Sequence, residues 1–192
     1  AKTYIEMNRL KIPMMPTYFA TKKAIPNEPP LPFPFVVKEA TGRSGKQVHL
    51  CRSFADWNHA LSSLATNDFV IQSADVQLGK DVRVFVIGKE IISAVLRVNE
   101  NDFRANFKLG GKAVPYTLSN EEKKLINKII NHFDFGLVGI DFFIGHDGEL
   151  FFNEIEDVVG SRILSKTSDI NLLEKYVTYI KNKVKEHFVI EN

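Results

Sequence analysis

Two apolar runs joined by an Asp-Gly turn constrain the fold of this sequence more than any other feature. The runs read GLVGIDFFI and ELFFNEIE, and the letters between them are GHDG. Asp-Gly between two apolar runs is a strong β-hairpin signal, because Gly accepts the positive φ that tight hairpin turns require. The sequence therefore predicts two antiparallel strands within residues 136–156.

Alternate residues of a strand lie on the same face, so the hairpin predicts which acidic side chains lie together. Two turn registers are considered, one that pairs Ile144 with Glu149 and one that pairs His146 with Glu149. Either register places Asp141 on one face with Glu154 and Glu156, and Gly139 is expected opposite Glu154. Three carboxylates on one face repel each other, and the neighbouring phenylalanines raise the cost of burying them. A hard divalent cation such as Mg²⁺ would remove this conflict. An ordinary edge hairpin with solvated acids explains the stretch equally well.

Composition and charge exclude several classes of protein. The chain has 192 residues, 44% hydrophobic and 25% charged, which is typical of a globular protein with one large or two small domains. A net charge of +2 gives no reason to expect a nucleic-acid or membrane partner. The single cysteine, Cys51, excludes an internal disulfide and indicates a reducing, cytoplasmic setting. The chain begins inside a helical pattern, so we expect a piece of a longer protein.

The remaining patterns predict a mixture of helices and short strands. Four segments are expected to be helical: residues 1–10 and those that follow Ser53, Ser119 and Asp169. Strands are expected at PFVVKEA, VHL, FVIQ, DVRVFVIG and IISAVLRV. Residues 20–34, which hold five of the eight prolines, and residues 99–116 are expected to be loops. These elements predict an α+β fold with mainly antiparallel sheets.

The segment TGRSGKQ lies between two of the expected strands and suits a flap over phosphate groups. Backbone N–H groups of a glycine-containing turn can hold anions, and Lys38, Arg43 and Lys46 add positive charge. The segment is not a Walker A loop, because its glycines are wrongly spaced and Gln47 stands where Ser or Thr is required. For this segment alone, a plain polar hairpin loop is the favoured interpretation.

Arginines on the expected strands indicate either buried ion pairs or an anion site. In DVRVFVI, Arg83 shares a face with Asp81 and Phe85, so it is either paired with a carboxylate or directed at an anion. Arg97 on the returning strand raises the same question. The loop at 99–116 adds three residues that suit an anionic ligand as well as a solvated loop: Arg104, Asn106 and Lys108.

The order of these motifs resembles a known family. A strand lysine, a glycine loop and a hinge strand are followed by D-x-R-x-F-x-x-G, by DFRANFKLGG, and by a strand Asp and an acidic strand. This order is similar to that of the ATP-grasp fold and, within it, of the RimK-like peptide-forming ligases, whose DFRSN…GG segment is the best single match. The resemblance covers residues 3–183. It implies two α+β lobes that grip ATP between them, a smaller one at 1–74 and a larger one at 75–192, with the family's separate N-terminal domain outside this chain.

The resemblance also implies roles for individual residues. It implies that ATP is held by Lys38, Thr41, Gly42, Gly45, Lys46, Gln72, Ser73, Ala74 and Asp81. It implies that phosphate or acyl-phosphate oxygens are held by Arg83, Arg104 and Asn106. The implied ligands of Mg²⁺, or of Mn²⁺, are Asp141, Glu154 and Glu156, and Arg162 is expected to meet the acceptor carboxylate. Position 156 is Glu where the family commonly has Asn, and EDVVGSR replaces the usual N-x-x-P-G ending.

The implied function is ATP-dependent ligation of a carboxylate to an amine through an acyl phosphate, with release of ADP and phosphate. The implied partners are an amino acid and a carboxylate acceptor, either free or at the tail of a peptide or protein, and a homo-oligomer is possible. Three alternatives stay open on the sequence: a nucleotide-binding module without turnover, an ATP-grasp phosphotransferase, and an α+β domain with no ligand.

Overall fold

The computed structural model describes residues 2–40, 47–105, 110–157 and 159–190. Its helices are α1 (Lys2–Arg9), α2 (Phe54–Ser63), α3 (Asn120–His132), α4 (Leu164–Thr167) and α5 (Leu172–Ile190). Its strands are β1 (Thr17–Thr21), β2 (Phe35–Glu39), β3 (Val48–Cys51), β4 (Asp68–Ser73), β5 (Lys80–Ile87), β6 (Glu90–Val98), β7 (Lys112–Pro115), β8 (Leu137–Ile144) and β9 (Leu150–Asp157). The predicted α+β class with antiparallel sheets is confirmed.

The first sheet has four antiparallel strands in the order β1-β4-β2-β3. Helix α2 packs on it and buries an aromatic core in which Phe35 contacts Trp57 edge to face. Ser53 caps this helix as predicted, because its side chain accepts a hydrogen bond from the Asp56 N–H. Strand β1, at Thr17–Thr21, is an addition to the predicted strands, and its last two residues lie in the predicted proline-rich loop.

The second sheet has five antiparallel strands in the order β7-β6-β5-β8-β9. Its β-branched residues alternate along β5 and β8 and bury one face of the sheet against helix α3, through Val82, Val84, Ile140 and their neighbours. The predicted capping box at the start of α3 is confirmed. Strand β7 is an addition to the prediction, which has residues 112–115 as loop. It pairs with β6 and closes the edge of the sheet.

The predicted hairpin is present as β8 and β9, but one predicted pairing is wrong. Asp141 pairs with Glu154, and Gly139 pairs with Glu156 rather than with Glu154. A register shift between Asp141 and Phe142 separates the pairing near the carboxylates from the pairing near the turn, where Gly148 has the expected positive φ of 87°. A side chain at Gly139 would collide with Val159, so the space there is filled by protein.

The connection between the two sheets is tied to both. Ala74 donates its N–H to the Pro34 carbonyl beside the first sheet, and Gln77 donates its N–H to the Ile144 carbonyl in the second. Gly79 has a φ of 74° and lies against the backbone of Asn99. In the part of the chain that is described, none of the helices has the length and apolar character that a bilayer crossing needs.

Candidate active site

The face of the second sheet opposite helix α3 carries charged side chains beside an apolar cluster that includes Phe85 and Val95. The antiparallel register places Asp81 opposite Arg97, Arg83 opposite Asp141, and Asp141 opposite Glu154. Residues that are directly opposite in neighbouring strands lie on the same face. Strand alternation thus gathers onto this one face acids and arginines that are distant in the sequence.

Asp141 is the centre of the charged face and is only 1% exposed. Its two oxygens accept hydrogen bonds from Arg83, one from Nε at 2.7 Å and one from Nη2 at 2.7 Å. Arg97 donates a third hydrogen bond from Nη2 to Asp141 Oδ2 at 2.7 Å. A buried carboxylate is tolerated only when it is paired and hydrogen-bonded, and two guanidinium groups supply both conditions here.

Arg97 is a member of the site to which the sequence alone assigns no role. Its guanidinium holds Asp81 in a fork, with Nε 2.5 Å from Oδ1 and Nη2 2.6 Å from Oδ2. It therefore bridges Asp81 and Asp141, which lie on strands that are not adjacent in sequence. Part of the signal for this contact lies in the β5–β6 hairpin, whose turn at Gly88–Lys89 sets the pairing next to the turn. A register shift between Phe85 and Val86 then brings Arg97 opposite Asp81.

Burial and the guanidinium groups act in opposite directions on the two paired acids. Burial opposes ionisation of Asp141, but Arg83 and Arg97 outweigh it and hold the pKa of this carboxyl below its ordinary value. Burial dominates at Asp81, where it raises the pKa to about 6 against the opposing effect of Arg97. Because both acids share Arg97, Asp81 is the one that takes up a proton first as the pH falls.

The two glutamates of β9 lie at the solvent side of the same face. Glu156 contacts Arg83, with its Oε2 2.5 Å from Nη2, and its side chain is 45% exposed. Partial withdrawal from water and then the charge of Asp141 raise the pKa of Glu154, while Lys38 opposes this rise. The charges around Glu154 would therefore stabilise a cation bound to its carboxylate.

Lys38 approaches this face from the first sheet. Its Nζ donates a hydrogen bond of 2.9 Å to Gln72 Oε1, and the Gln72 amide in turn donates to Thr17 Oγ1. Burial lowers the pKa of Lys38, and the nearby Glu154 carboxylate opposes that change. The lysine thus lies between the two sheets, within electrostatic range of the acidic strand but hydrogen-bonded to a neutral amide.

The hinge residues Gln72, Ser73 and Ala74 are buried at the end of β4. The Ser73 N–H donates to the Pro16 carbonyl and the Ala74 N–H to the Pro34 carbonyl, so both groups are already used within the protein. A ligand at this hinge would therefore have to bind the carbonyl oxygens of these residues or the backbone after Ala74.

The remaining predicted residues are more peripheral or lie outside the described residues. Arg104 forms an ion pair with Asp102, with Nη2 2.7 Å from Oδ2, beside the end of β6. Arg162 is exposed before α4. Five residues implied to be in the site lie outside the described residues: Thr41, Gly42, Gly45, Lys46 and Asn106.

The acidic residues fit a hard cation in chemistry, although the three do not enclose one. Among the residues described, no three acidic, histidine or cysteine side chains converge on a common point, and Arg83 stands between Asp141 and Glu156. A carboxylate has about four acceptor positions, and Asp141 uses three of them. Mg²⁺ is typically held by one or two carboxylates with phosphate and water completing the shell. Glu154 and Glu156 suit that pattern, with Asp141 retaining one acceptor position.

Comparison with protein families gives one match along most of the chain. The model of the RimK-like ATP-grasp domain matches residues 1–180.

Curated relatives are longer than this chain. A probable alpha-L-glutamate ligase of Legionella pneumophila is 32% identical over 156 residues, which are 79% of this chain and 51% of that protein. An alpha-aminoadipate–LysW ligase, LysX, of Saccharolobus solfataricus is 29% identical over 191 residues, which are 93% of this chain and 69% of that protein. The chain thus spans about half the length of the first of these relatives and somewhat more than two thirds of the second.

Solved structures share the fold at low sequence identity. The D-alanyl-alanine synthetase A of Vibrio cholerae superposes with a TM-score of 0.68 at 16% identity, covering 94% of this chain and 63% of that one. The D-alanine-D-alanine ligase of Helicobacter pylori gives a TM-score of 0.63 at 19% identity, covering 94% of this chain and 55% of that one. At this level of identity the match establishes the ATP-grasp fold.

Proposed function

Because this chain belongs to the RimK-like ATP-grasp family, we propose that it carries the ATP site of a ligase that joins a carboxylate to an amine. One observation carries the proposal: Arg83, Arg97 and Asp141 form a buried charged face that Lys38 approaches from the other sheet. Two curated relatives support the reaction class, since one is named a probable alpha-L-glutamate ligase and the other an alpha-aminoadipate–LysW ligase. We propose an amino acid and a carboxylate acceptor, free or at a peptide or protein tail, as the substrates, and the cytoplasm as the compartment.

We assign ATP to the space between the two sheets. Lys38 would exchange its hydrogen bond with Gln72 for one with a phosphate oxygen, which the lowered pKa does not prevent because the phosphate charge favours the ammonium form. The hinge at 72–74 would meet the adenine and Asp81 the ribose side. The same proposal covers the glycine-loop residues Thr41, Gly42, Gly45 and Lys46, which lie outside the described residues.

The reaction needs charge stabilisation and positioning more than a protein nucleophile. A carboxylate oxygen of the substrate attacks the γ-phosphorus of ATP and ADP leaves. The amine then attacks the carbonyl carbon of the acyl phosphate, phosphate leaves, and the nitrogen loses a proton. Arg83, Arg104 and Asn106 would hold the phosphoryl oxygens during both steps, and Arg162 would meet the acceptor carboxylate. Burial raises the pKa of the Cys51 thiol to about 12, so this residue is not a nucleophile at neutral pH.

Asp141, Glu154 and Glu156 would hold magnesium, or manganese, which supplies neutralisation of the β- and γ-phosphate charge when bound. Arg97 would keep the Asp141 carboxylate in a fixed orientation for this role, because it binds the side away from Glu154 together with Asp81. Arg83 would have to loosen its contact with Glu156 for that glutamate to take part.

The test uses the full-length protein and measures ADP release with a panel of amino acids and acidic peptides. We expect release to depend on an added amine, and we expect Asp141→Asn and Glu154→Gln to reduce it at least 100-fold. The matched control is Glu149→Gln, which removes an exposed acid at the turn of the same hairpin and should retain wild-type release.

Thermal melts separate the alternatives. ATP with Mg²⁺ should raise the melting temperature, and ATP without Mg²⁺ should raise it less. Stabilisation without any amine-dependent ADP release would identify a binding module, and ADP release with a phosphorylated product would identify a phosphotransferase. No shift with ATP under either condition would remove the nucleotide-site proposal altogether.

A further inference from the structure

Helix α5 has an exposed apolar stripe that the site does not use. Four side chains form it at a spacing of three and four residues: Leu173 at 60% exposure, Val177 at 49%, Ile180 at 42% and Val184 at 48%. At about 100° per residue these four lie within about 60° of one another around the helix. Large apolar side chains at helical spacing normally face a core or a partner helix.

The protein body holds α5 by a different side. Leu172 is 2% exposed, and the Tyr179 hydroxyl donates to the Phe135 carbonyl at 3.1 Å. Every residue from Ile180 to His187 is exposed, so this segment of the helix projects into solvent on all sides. A helix in water gains most of its stability from packing of an apolar face, and here Ile180 and Val184 are uncovered.

The stripe is symmetric about its own midpoint, which lies between Thr178 and Tyr179. Leu173 and Val184 are equally distant from this point, and so are Val177 and Ile180. If a second α5 is laid antiparallel against the stripe around a twofold axis at the midpoint, Leu173 meets Val184 of the second copy and Val177 meets Ile180. Such an isologous contact uses the same patch on both copies.

The charges beside the stripe complement each other in the same arrangement. Glu174, Lys181 and Lys185 lie along one flank, about 80–120° from Leu173 around the helix. All three are exposed, and no ion pair of theirs occurs within the described residues. Around the twofold axis, Glu174 lies at a level between Lys181 and Lys185 of the second copy, about 3 Å along the axis from each. In a parallel pair the two charged flanks would lie on opposite sides of the contact, so Glu174 would not face these lysines.

We propose that this protein self-associates through an antiparallel pair of α5 helices, with the stripe as the contact and the Glu174–lysine pairs fixing its direction. Four apolar side chains a copy make a small contact compared with a standard interface, so we expect a dissociation constant on the order of 10–100 µM. The proposal does not depend on the ligase function.

Sedimentation equilibrium of the purified chain from 1 µM to 1 mM tests the contact. The wild type should change from monomer to dimer across this range, and Val177→Asp should raise the dissociation constant at least tenfold. Asn182→Asp adds the same charge on the opposite side of the helix, about 180° from Leu173, at an exposed position, and should stay within threefold of wild type. Val184→Asp repeats the test in the projecting segment, where the fold is not at stake. A monomer up to 1 mM, or a dimer that Val177→Asp and Val184→Asp leave unchanged, would overturn the proposal.

Charge exchange tests the antiparallel direction. Glu174→Lys alone, and Lys181→Glu with Lys185→Glu, should each weaken self-association several-fold, because like charges then meet across the contact. An equimolar mixture of the two variants should associate at least as tightly as wild type, since every flank pair in the mixed dimer is again of opposite charge. Mixed samples that remain as weak as the separate variants would exclude the antiparallel pair.

Discussion

The two sheets present charge to the space between them in different ways. In the first sheet, Lys38 faces the space, and its ammonium donates a hydrogen bond to the neutral amide of Gln72. In the second, Arg83 and Arg97 are bound to the carboxylates of Asp81 and Asp141 at 2.5–2.7 Å. The first sheet therefore offers a group that is ready to change partners, while the second offers a rigid arrangement of compensated charges.

Because of this difference, we expect the second sheet to contribute mainly to stability and Lys38 of the first sheet mainly to ligand binding. A buried charge pair is costly to break, because removal of one member leaves the other unpaired in a medium where it cannot ionise freely. A half-buried lysine beside an amide can be lost with little cost to the fold, since its ionisation is already opposed by burial. Substitutions in the second sheet should act first on folding, and substitutions of Lys38 should act first on nucleotide affinity.

The largest effect is expected for Arg97→Met. This change leaves Asp81 and Asp141 buried with one guanidinium fewer, so the free energy of unfolding should fall by about 3–5 kcal/mol. Urea unfolding followed by circular dichroism measures it. Arg97→Lys keeps the charge but loses the fork, and it should recover only part of the loss.

Removal of both charges provides the control for Arg97. Arg97→Met combined with Asp81→Asn should be more stable than Arg97→Met alone, because the unpaired acid is gone. If Arg97→Met unfolds at the same urea concentration as wild type, the ion pairs of Arg97 with Asp81 and Asp141 do not stabilise the fold.

An intermediate effect is expected from pH through Asp81. Its folded pKa of about 6 lies above the value of about 3.9 that an unfolded Asp has. The folded state therefore binds the proton more tightly, so this acid stabilises the fold below pH 4, and the contribution is lost as the pH rises through 6. The loss amounts to about 3 kcal/mol for one residue shifted by roughly two units.

The free energy of unfolding, measured from pH 4 to 7 in buffer that contains a metal chelator, isolates this contribution. The difference in unfolding free energy between wild type and Asp81→Asn should decline across this range, to the disadvantage of wild type at pH 7. An Asp81 difference that stays level across the range would contradict the raised pKa.

The smallest effect on the fold is expected for Lys38→Met, in the first sheet. Stability should change by less than about 1 kcal/mol, whereas the dissociation constant for ATP should rise about 10- to 100-fold through loss of a charge-assisted hydrogen bond. Isothermal titration and urea unfolding on the same samples measure both. The control Thr17→Val removes the acceptor of the Gln72 amide and a hydrogen bond from the Thr17 hydroxyl to the Met15 carbonyl, but leaves Lys38 in place. It should change affinity by less than about threefold. A Lys38→Met protein that binds ATP normally would place the nucleotide elsewhere.

Strand alternation accounts for the part of the site that can be predicted from the sequence. Alternation alone predicts that Asp141, Glu154 and Glu156 share one face, and the pairing of β8 with β9 confirms this. Alternation cannot give the pairing itself, because the register shift after Asp141 depends on how both strands pack on their neighbours.

The ion-pair partners of the arginines are harder to predict from the sequence than the face of the sheet on which the arginines lie. The sequence indicates that Arg83 and Arg97 are either paired or directed at an anion, but it cannot choose between these. The choice depends on which strands are neighbours, and β5 lies between β6 and β8 although β8 comes about fifty residues later in the chain. Strand β7 escapes prediction because a four-residue edge strand with glycines before it carries too little pattern.

Gly79 fixes the length of the segment that follows β6. Its N–H donates to the Phe103 carbonyl and its carbonyl accepts from the Asn99 N–H, and a side chain there would come within 2.3 Å of the Asn99 oxygen. One glycine thus holds the link between the sheets and both ends of the segment at 99–103. An insertion between Asn99 and Phe103 would have to break one of these two hydrogen bonds, so this segment has a fixed length between its two contacts with Gly79.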